Sequence, residues 1–369
     1  MNTWEIFTSI DNKSTRLYAD TMILEEKHRS KLFFLVFIIF FILAILIFPR
    51  FKVAQNVVVV YVSHDQDYAQ PILEAFEKET GLGVKAVYDT EASKTVGLTN
   101  RLIAEKNNPQ ADLFWNNEVV RTIQLKKEGI LDVYRPRNYD KLNSLYKDSE
   151  GYWTGFAARA RVLIVNTDLV GEAQRPTSLA DLTRPEFEGV ATIADPRFGT
   201  TGSQVAALYT LWGRKKTEDF FTTLKRSGLD IAQSNGQTRD KVAAGTKWIG
   251  FTDTDDVNDA LVKKEPVAMI YPDQKDGQIG TLVIPNTAML IKGAKHSANA
   301  KKLIDYLISE KTESALAYAK SAQMPLLPGV KRPKNVPAVE SIKVMSVNWE
   351  EIYENLKPAI SYFESSILQ

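Results

Sequence analysis

The chain has 369 residues, with 46 Lys and Arg against 45 Asp and Glu and a formal net charge of +1 at pH 7. A surface of mixed sign is typical of a soluble protein, and the charge balance argues against the basic stripe of a nucleic-acid-binding protein, so we expect no nucleic-acid partner. The chain has no cysteine, which excludes disulfides, thiolate metal sites, a thiol nucleophile and a lipid-modified N-terminal cysteine.

Residues 32–48, LFFLVFIIFFILAILIF, are uncharged and almost wholly apolar. As a helix they would cover about 25 Å, the short limit for a bilayer, and a core helix would not normally be apolar on every face. Three basic residues precede the segment and two follow it closely, which places residues 1–31 in the cytoplasm. We therefore predict one transmembrane helix over 32–48 that anchors an extracytoplasmic body. A cleaved signal peptide is the alternative, although the apolar run is long and no clear A-x-A pattern follows it.

The body, residues 56–369, exceeds the size at which a single core usually stops growing, so we expect two lobes. Three strand–loop–helix units open it, and we predict them at 57–62 and 68–80, 84–88 and 91–106, and 111–115 and 118–128. This alternation predicts a parallel or mixed sheet covered by helices. Ligands of such sheets lie at the carboxyl ends of strands. The loops at those ends are Ser63-His64-Asp65, Asp89-Thr90-Glu91 and Asn116-Asn117-Glu118.

The pattern restarts in the second half of the chain. Residues 161–166 are predicted as a strand that crosses from one lobe to the other. Further strands are predicted at 190–194, 248–251, 267–271, 281–284 and 287–291. Helices are predicted at 204–212, 257–263 and 297–309, with one or two amphipathic helices over 349–368.

Several sequence blocks together resemble a known family. VVVYVSHD, ILEAFEKETGLGV, ADLFWNNE, ADPRFGTTGS and VAMIYPDQ occur in the order found in solute-binding proteins of ATP-driven (ABC) importers, in the branch related to ferric-ion-binding periplasmic proteins. The resemblance covers residues 57–327. It implies an α/β, two-lobed clamshell of the periplasmic-binding-protein type II class with crossing hinge strands. It also implies a ligand in the cleft and delivery to a permease with a cytoplasmic ATPase.

The lobes follow from that fold. We expect the N-lobe to contain residues 56–160 and 285–328, and the C-lobe residues 161–284 and 335–369. We also expect the protein to be a monomer.

The chain departs from the iron-binding branch at its metal ligands. Members of that branch hold iron with adjacent tyrosines where this chain has residues 252–256, which contain no tyrosine. His64 and Glu118 lie near the family's histidine and acidic ligand but one place out of register, so that Asp65 and Asn117 take the aligned positions. Ferric iron is thus one possibility among several. A loop histidine bonded to backbone is an equally good interpretation of His64.

Two groups of residues predict an anion site. Thr200, Thr201 and Gly202 lie between a strand and a helix, where free N–H groups and the helix dipole hold an anion, although an ordinary N-cap gives the same pattern. Arg159 and Arg161 alternate on the crossing strand, so both guanidinium groups should lie on one side and could grip a carboxylate or phosphonate. Pairing with acidic residues between the lobes is the alternative.

Carboxylates predict a second, acidic end of the cleft. Asp253, Asp255 and Asp256 occupy three of four positions, and Asp273 follows the next strand. A cation or an ammonium group would neutralise them, whereas helix capping explains one aspartate well and three poorly. The two ends together suit a zwitterion such as an aminophosphonate, or a metal ion with a bound anion. Asp253 and Asp255 are the candidate metal ligands, and no other cofactor is expected.

Two further residues are candidates for ligand contact. Tyr271 ends a strand at the proposed edge and could stack on a ligand, although packing is the commoner role of such a residue. Glu91 opens a helix at the same edge, where the helix dipole alone would also explain it.

Two other functions compete with transport. Residues 253–257 match the D-x-D-x-V pattern of aspartate-nucleophile phosphohydrolases, but such enzymes open their fold with the nucleophile, so we predict that the protein is not an enzyme. A membrane-anchored receptor is the other alternative. The cytoplasmic stretch is too short for a folded output domain, which weakens that alternative.

Overall fold

The computed structural model describes residues 34–42, 56–89 and 96–369. Residues 34–42 form a helix, α1, with exposed side chains. No helix within the described ranges is both long and apolar enough to cross a membrane. Residues 32–33 and 43–48 of the predicted anchor, and all of the cytoplasmic segment at 1–31, lie outside the described residues, so both stay predictions from the sequence.

The body, Val57–Gln369, is a compact unit of alternating strands and helices. Its strands are β1 (Val57–Val62), β2 (Gly83–Tyr88), β3 (Leu113–Asn116), β4 (Leu131–Asp132), β5 (Thr154–Asn166), β6 (Ala191–Ala194), β7 (Asp230–Ala232), β8 (Ile249–Asp253), β9 (Val267–Ile270) and β10 (Val283–Ile291). Its α-helices are α2 (Gln66–Thr80), α3 (Val96–Ala104), α4 (Val120–Lys127), α5 (Gly199–Trp212), α6 (Arg214–Arg226), α7 (Asn235–Ala243), α8 (Thr254–Val262), α9 (Ser297–Leu307), α10 (Glu310–Tyr318) and α11 (Trp349–Tyr362).

Strand β5 joins two sets of strands. Its first half, up to Ala160, pairs with β10, and its second half, from Arg161, pairs with β8 and β9. The N-terminal strand set (β1 to β4 and β10) has the order β2-β1-β3-β10, and the C-terminal strand set (β6 to β9) continues from β5 as β8-β6-β7. The N-terminal strand set contains parallel and antiparallel pairs, and in the C-terminal strand set β6 pairs parallel with β7 and β8 while β8 and β9 pair antiparallel with β5. The prediction of a mixed sheet covered by helices is therefore confirmed, while the lobe boundaries stay a prediction.

The crossing strand differs in length from the prediction. The predicted strand 161–166 is only the second half of β5, all of whose 13 residues are buried. The two strands predicted at 281–284 and 287–291 are one strand, β10, with an irregularity in pairing between Pro285 and Asn286. Proline cannot donate to the ladder, so the sequence shows a break where the structure has a bulge within a continuous strand.

The predicted and observed helix boundaries differ most beside the polar loops. Helix α5 begins at Gly199 instead of 204, so Thr200, Thr201 and Gly202 lie within its first turn. Helices α6, α7 and α10 were not predicted. Helix α7 carries only two buried residues, Thr238 and Val242, so its sequence has little of the apolar spacing by which a helix is recognised.

A buried carboxylate fixes the backbone of β5. Ala157 has a φ of 41°, in the left-handed region that L-residues rarely adopt. Its N–H donates to Glu313 of α10 at 3.0 Å, and the N–H groups of Leu326 and Leu327 donate to the same carboxyl group at 3.1 and 2.7 Å. Glu313 has no solvent exposure, and burial raises its pKa. This side chain therefore satisfies three buried backbone donors beside the crossing strand.

We expect Glu313→Gln to lower the free energy of unfolding by about 1–3 kcal/mol, because one amide NH₂ would face backbone donors that now have an acceptor. Urea unfolding of the body, residues 56–369, measures the change. Glu310→Gln on the same helix is the control, since Glu310 is exposed and should give a change near zero. Equal stability of both variants would contradict the role assigned to Glu313.

Candidate functional site

A polar cavity of about 280 Å³ lies where four helices begin. Asp65 precedes α2, Thr200 lies in the first turn of α5, Asn235 begins α7, and Asp253 precedes α8. The polar and charged residues that line the cavity are Asp65, Asn117, Arg159, Asp195, Thr200, Gln233, Ser234, Asn235, Arg239, Asp253, Asp255 and Asp256. Seven of the candidate residues predicted from the sequence thus share one cavity: Asp65, Asn117, Arg159, Thr200, Asp253, Asp255 and Asp256.

Arg161 lies behind the cavity wall. Its guanidinium group has no solvent exposure and donates to Asp253 Oδ1 at 2.7 Å. It also donates to Thr200 Oγ1 at 3.0 Å and to Thr201 Oγ1 at 3.2 Å, and it stacks on Phe251 at 4.5 Å from the ring centroid. Arg161 and Thr201 are therefore paired with protein groups and do not line the cavity.

Arg159 lies at the cavity itself. It donates to Asp255 Oδ2 at 3.2 Å and to the carbonyl oxygen of Asn117 at 2.8 Å, and it lies 3.9 Å from Asp253. Burial acts to lower the pKa of Arg159, but Asp255 and Asp253 raise it overall. Arg159 and Arg161 both reach Asp253, so the predicted alternation onto one side of the strand agrees with the observed contacts. Both arginines also pair with aspartates, which is the alternative to ligand binding that the sequence left open.

Asp256 is the carboxyl group of the cluster whose charged form is disfavoured. Both oxygens of Asp253 accept hydrogen bonds, from Arg161 on one side and from Thr200 and Asn235 on the other. The Thr252 hydroxyl donates to Asp256 at 2.9 Å. Burial, followed by the charges of Asp255 and Asp253, raises the pKa of Asp256 to about 8. This carboxyl group therefore keeps a proton under conditions in which an ordinary aspartate is charged.

The first turn of α5 has the features of an anion site. Its N-cap, Phe198, offers no side-chain cap, so the first N–H groups of the helix have no side-chain acceptor there. A Cβ atom on Gly202 would lie 2.4 Å from the carbonyl oxygen of Pro196, so only glycine lets the turn approach that loop. Gly199 and Thr200 of this turn line the cavity.

Glu118 connects α4 with α5 and does not line the cavity. Its carboxylate accepts from the N–H groups of Val120 and Arg121 at 2.6 and 2.7 Å, and from Ser203 Oγ at 3.2 Å. Burial raises the pKa of Glu118. In this structure Glu118 accepts hydrogen bonds from the first N–H groups of α4 and contacts α5, which follows β6 of the C-terminal strand set.

The other candidate residues lie away from the cavity lining. His64 is buried between Tyr68 and Trp115 and contacts Gln323 at 3.0 Å between the two Nε2 atoms. Ser63 is buried at the end of β1. Glu91 lies outside the described residues. Their role in binding stays a prediction.

Tyr271 and Asp273 follow β9. Burial raises the pKa of Tyr271 to about 12, and its ring packs against the core. Asp273 is buried with a φ of 61° and accepts from Leu179 N at 3.4 Å, and burial raises its pKa. Neither residue lines the cavity, so their role in binding also stays a prediction.

Sequence reasoning missed the contribution of α7. Asn235 donates to Asp253 at 3.0 Å and contacts Arg161 and Thr201, and Arg239 faces the acidic cluster, where its charge acts on Asp256. Ser234 caps this helix by accepting from Gln237 N at 3.1 Å. The Ser-Asn-Gly sequence before a polar stretch was the available signal for a helix start.

A metal ion would have to compete with existing contacts. One oxygen atom from each of Asp253, Asp255 and Asp256 could be brought to a metal, and these three atoms lie within 4.8 Å of one another. However, Asp253 and Asp255 already accept from guanidinium groups, and the cavity-lining residues within the described chain include no Tyr, His or Glu. The set fits a protein-held ferric ion poorly, because hard trivalent metals need several unpaired anionic ligands.

Comparisons with known proteins agree with this fold. Residues 109–355, about two-thirds of the chain, match the family described as bacterial extracellular solute-binding protein. The chain is 28% identical over 286 residues to a probable ABC transporter periplasmic-binding protein of Sinorhizobium fredii, covering 74% of this chain and 77% of that protein. It is 25% identical over 320 residues to a putative 2-aminoethylphosphonate-binding periplasmic protein of Salmonella typhi, covering 84% and 91%.

Solved structures show the same architecture. Iron-bound HitA from Pseudomonas aeruginosa superposes with a TM-score of 0.76 at 23% identity, covering 85% of this chain and 99% of that one. The body therefore has the α/β periplasmic-binding-protein type II fold, as predicted. The matched family is one of solute-binding proteins, which confirms the prediction that this chain is not an enzyme. The chain belongs to the bacterial extracellular solute-binding protein family.

Proposed function

We propose that this protein is the solute-binding component of an ATP-driven importer and that its cavity takes a small zwitterion, with an aminoalkylphosphonate as the best candidate. The observation that carries the proposal is that an uncapped helix N-terminus and the neighbouring carboxyl groups of Asp255 and Asp256 share one cavity. The protein would deliver that solute to a permease with a cytoplasmic ATPase, as the resemblance to importer proteins implies. The body would work on the extracytoplasmic side, with attachment through residues 32–48 as a prediction from sequence alone.

The anionic end of the solute would lie at the starts of α5 and α7. Gly199 and Thr200 begin one helix at the cavity, and Asn235 and Gly236 begin the other. The N-terminus of a helix offers backbone N–H donors and a partial positive charge, so two such ends stabilise a phosphonate or carboxylate. Arg161 would contribute indirectly by holding Thr200 in place at 3.0 Å.

The cationic end would lie at Asp255 and Asp256. Arg159 neutralises Asp255 in part, whereas the raised pKa of Asp256 indicates a carboxyl group without enough positive charge beside it. An ammonium group is a compact cation with several donors, so it would take the place of the Asp256 proton. We infer that binding of the amine is coupled to release of that proton.

Two buried polar atoms at the cavity support a ligand with both donors and acceptors. Asn117 Oδ1 and Arg159 Nε have no hydrogen-bond partner, and both side chains are more than nine-tenths buried. A buried polar group without a partner costs free energy that a ligand can recover. Asn117 needs a donor such as an ammonium group, and Arg159 needs an acceptor such as a phosphonate oxygen.

Ferric iron with an anion is the second candidate, because relatives of the same fold include an iron-bound protein. Iron would require Asp253 and Asp255 to exchange their guanidinium contacts for the metal. The zwitterion requires no such exchange, which is why we favour it.

Binding would close the two strand sets about β5, since a ligand that contacts both sides stabilises the closed arrangement. Asp65 and Asn117 come from the N-terminal half, and Thr200, Asn235 and Asp256 from the C-terminal half. Arg161 and Thr201, which the sequence also predicts as ligand contacts, would act from behind the cavity wall.

We expect the body to bind 2-aminoethylphosphonate at least tenfold more tightly than ethylphosphonate, because loss of the amine leaves Asp256 with its proton and Asn117 without a donor. Isothermal titration calorimetry measures both affinities. Asp256→Asn should weaken the aminophosphonate and leave ethylphosphonate unchanged within about twofold, since only the amine contacts that carboxyl group.

Ferric citrate is the control ligand for the competing proposal. Binding of iron that is lost in Asp253→Asn and Asp255→Asn, together with no binding of either phosphonate, would overturn the zwitterion proposal. An equal loss of both phosphonates in Asp256→Asn would instead show that Asp256 supports the fold of the site and does not contact the amine.

The stability of the empty protein should depend on the charge of Asp256. Its pKa is about 8 in the folded protein and 3.8 for the reference group, so the folded state binds the proton more tightly. Stability should therefore fall as pH rises from about 4 to about 8 and level off above that. The asparagine of Asp256→Asn cannot ionise, so the free energy of unfolding of this variant relative to the natural protein should increase across that window. Urea midpoints at pH 5, 7 and 9 measure this, and parallel curves would contradict it.

A further inference from the structure

We propose that helix α11 is a latch between the two halves of the body, fixed to α5 and α6 by apolar packing and held to α4 by exposed ion pairs that set how readily the cleft opens. Helix α11 packs against both α5 and α4. Helix α4 follows β3 of the N-terminal strand set, and α5 follows β6 of the C-terminal strand set. The proposal rests on the proposed function only in assuming that the two halves move about β5.

The contacts of α11 and of the residues that follow it with α5 and α6 combine buried apolar packing with hydrogen bonds. Leu356 lies beside Gly202, where a Cβ atom would be 3.4 Å from Leu356 Cδ1. The ring of Phe363, which follows α11 and has no exposure, lies 4.7 Å from that of Phe221 of α6. Tyr362 Oη donates to the carbonyl oxygen of Glu218 at 2.8 Å. Interfaces of this kind keep their geometry, so α11 moves with α5 and α6.

The contacts of α11 with α4 add exposed ion pairs at the edge of the apolar cluster to which both helices contribute. Lys127 of α4 pairs with Glu354 and lies 3.6 Å from Glu350, and Lys126 lies 3.7 Å from Glu350. The side chains of Lys127, Glu350 and Glu354 are between 40% and 65% exposed. Exposed ion pairs are individually weak and are screened by salt. Trp349 at the start of α11 donates to the carbonyl oxygen of Leu145 at 2.9 Å and offers a pivot for this motion.

Helices α4 and α5 are also joined by a side-chain contact. Glu118, just before α4, accepts from Ser203 of α5 at 3.2 Å. A shift of α4 relative to α5 would therefore break this contact and separate Lys127 from Glu354 together. The ion pairs favour the arrangement in which Glu118 meets Ser203, so weakening them shifts the population towards a more open arrangement.

The latch can be tested by a distance measurement that needs no ligand. The chain has no cysteine, so Lys78→Cys at the end of α2 and Arg226→Cys at the end of α6 give two unique spin-label sites, both exposed. Double electron–electron resonance on the full chain then reports the distance between the halves. We expect Glu350→Gln with Glu354→Gln to raise the longer-distance population about threefold. The spin-labelled protein with Glu350 and Glu354 intact should also show a larger longer-distance population in 0.5 M NaCl.

Asp219→Asn is the matched control. It breaks the exposed Lys215–Asp219 pair, 2.7 Å long, which lies within α6 and does not join the halves. This variant should leave the distances unchanged. Distances that stay the same in the double variant, with the fold intact by circular dichroism, would overturn the latch. A shifted distance together with no solute binding would support the latch and contradict the proposed function, so the two proposals fail separately.

Discussion

The buried ion pair between Arg161 and Asp253 is the contact on which the site depends. Arg161 lies where β5 passes from one strand set to the other, and Asp253 ends β8. A guanidinium group without solvent exposure is stable only when it is paired and hydrogen-bonded, and breaking such a pair typically costs about 3–5 kcal/mol. Because the same group also binds Thr200 and Thr201, the pair fixes the crossing strand, the end of β8 and the start of α5 relative to one another.

That pairing also decides what charge is left for a ligand. Asp253 is committed to Arg161, and Asp255 shares Arg159, so neither acts as a free anion. Asp256 receives the repulsion of both neighbours and responds with a raised pKa. Of the three neighbouring aspartates, Asp256 is thus the one whose charge is disfavoured, which suits a monovalent ammonium group better than a trivalent metal.

The sequence predicted those features that follow from local pattern. The β-branched run of β1 and the helical spacing of α2 gave elements close to the observed ones, and alternation placed Arg159 and Arg161 on one side. The depth of each guanidinium group was not predictable from the sequence. The same alternation fits a group that lines the cavity, such as Arg159, and one that lies behind its wall, such as Arg161. Asn235 was missed for a different reason, since its helix owes its position to polar contacts with Asp253 that no periodicity encodes.

The distribution of strong and weak contacts is consistent with a protein that opens and closes. Within each half the contacts are buried, as with Glu313 beneath β5 and Phe363 against α6. Between α4 and α11 the paired side chains are largely exposed. A small solute can shift an equilibrium only by its differential affinity for the two states, so the contacts that change on closure must be weak in sum. Exposed ion pairs meet that condition, because each contributes little free energy and is screened by salt.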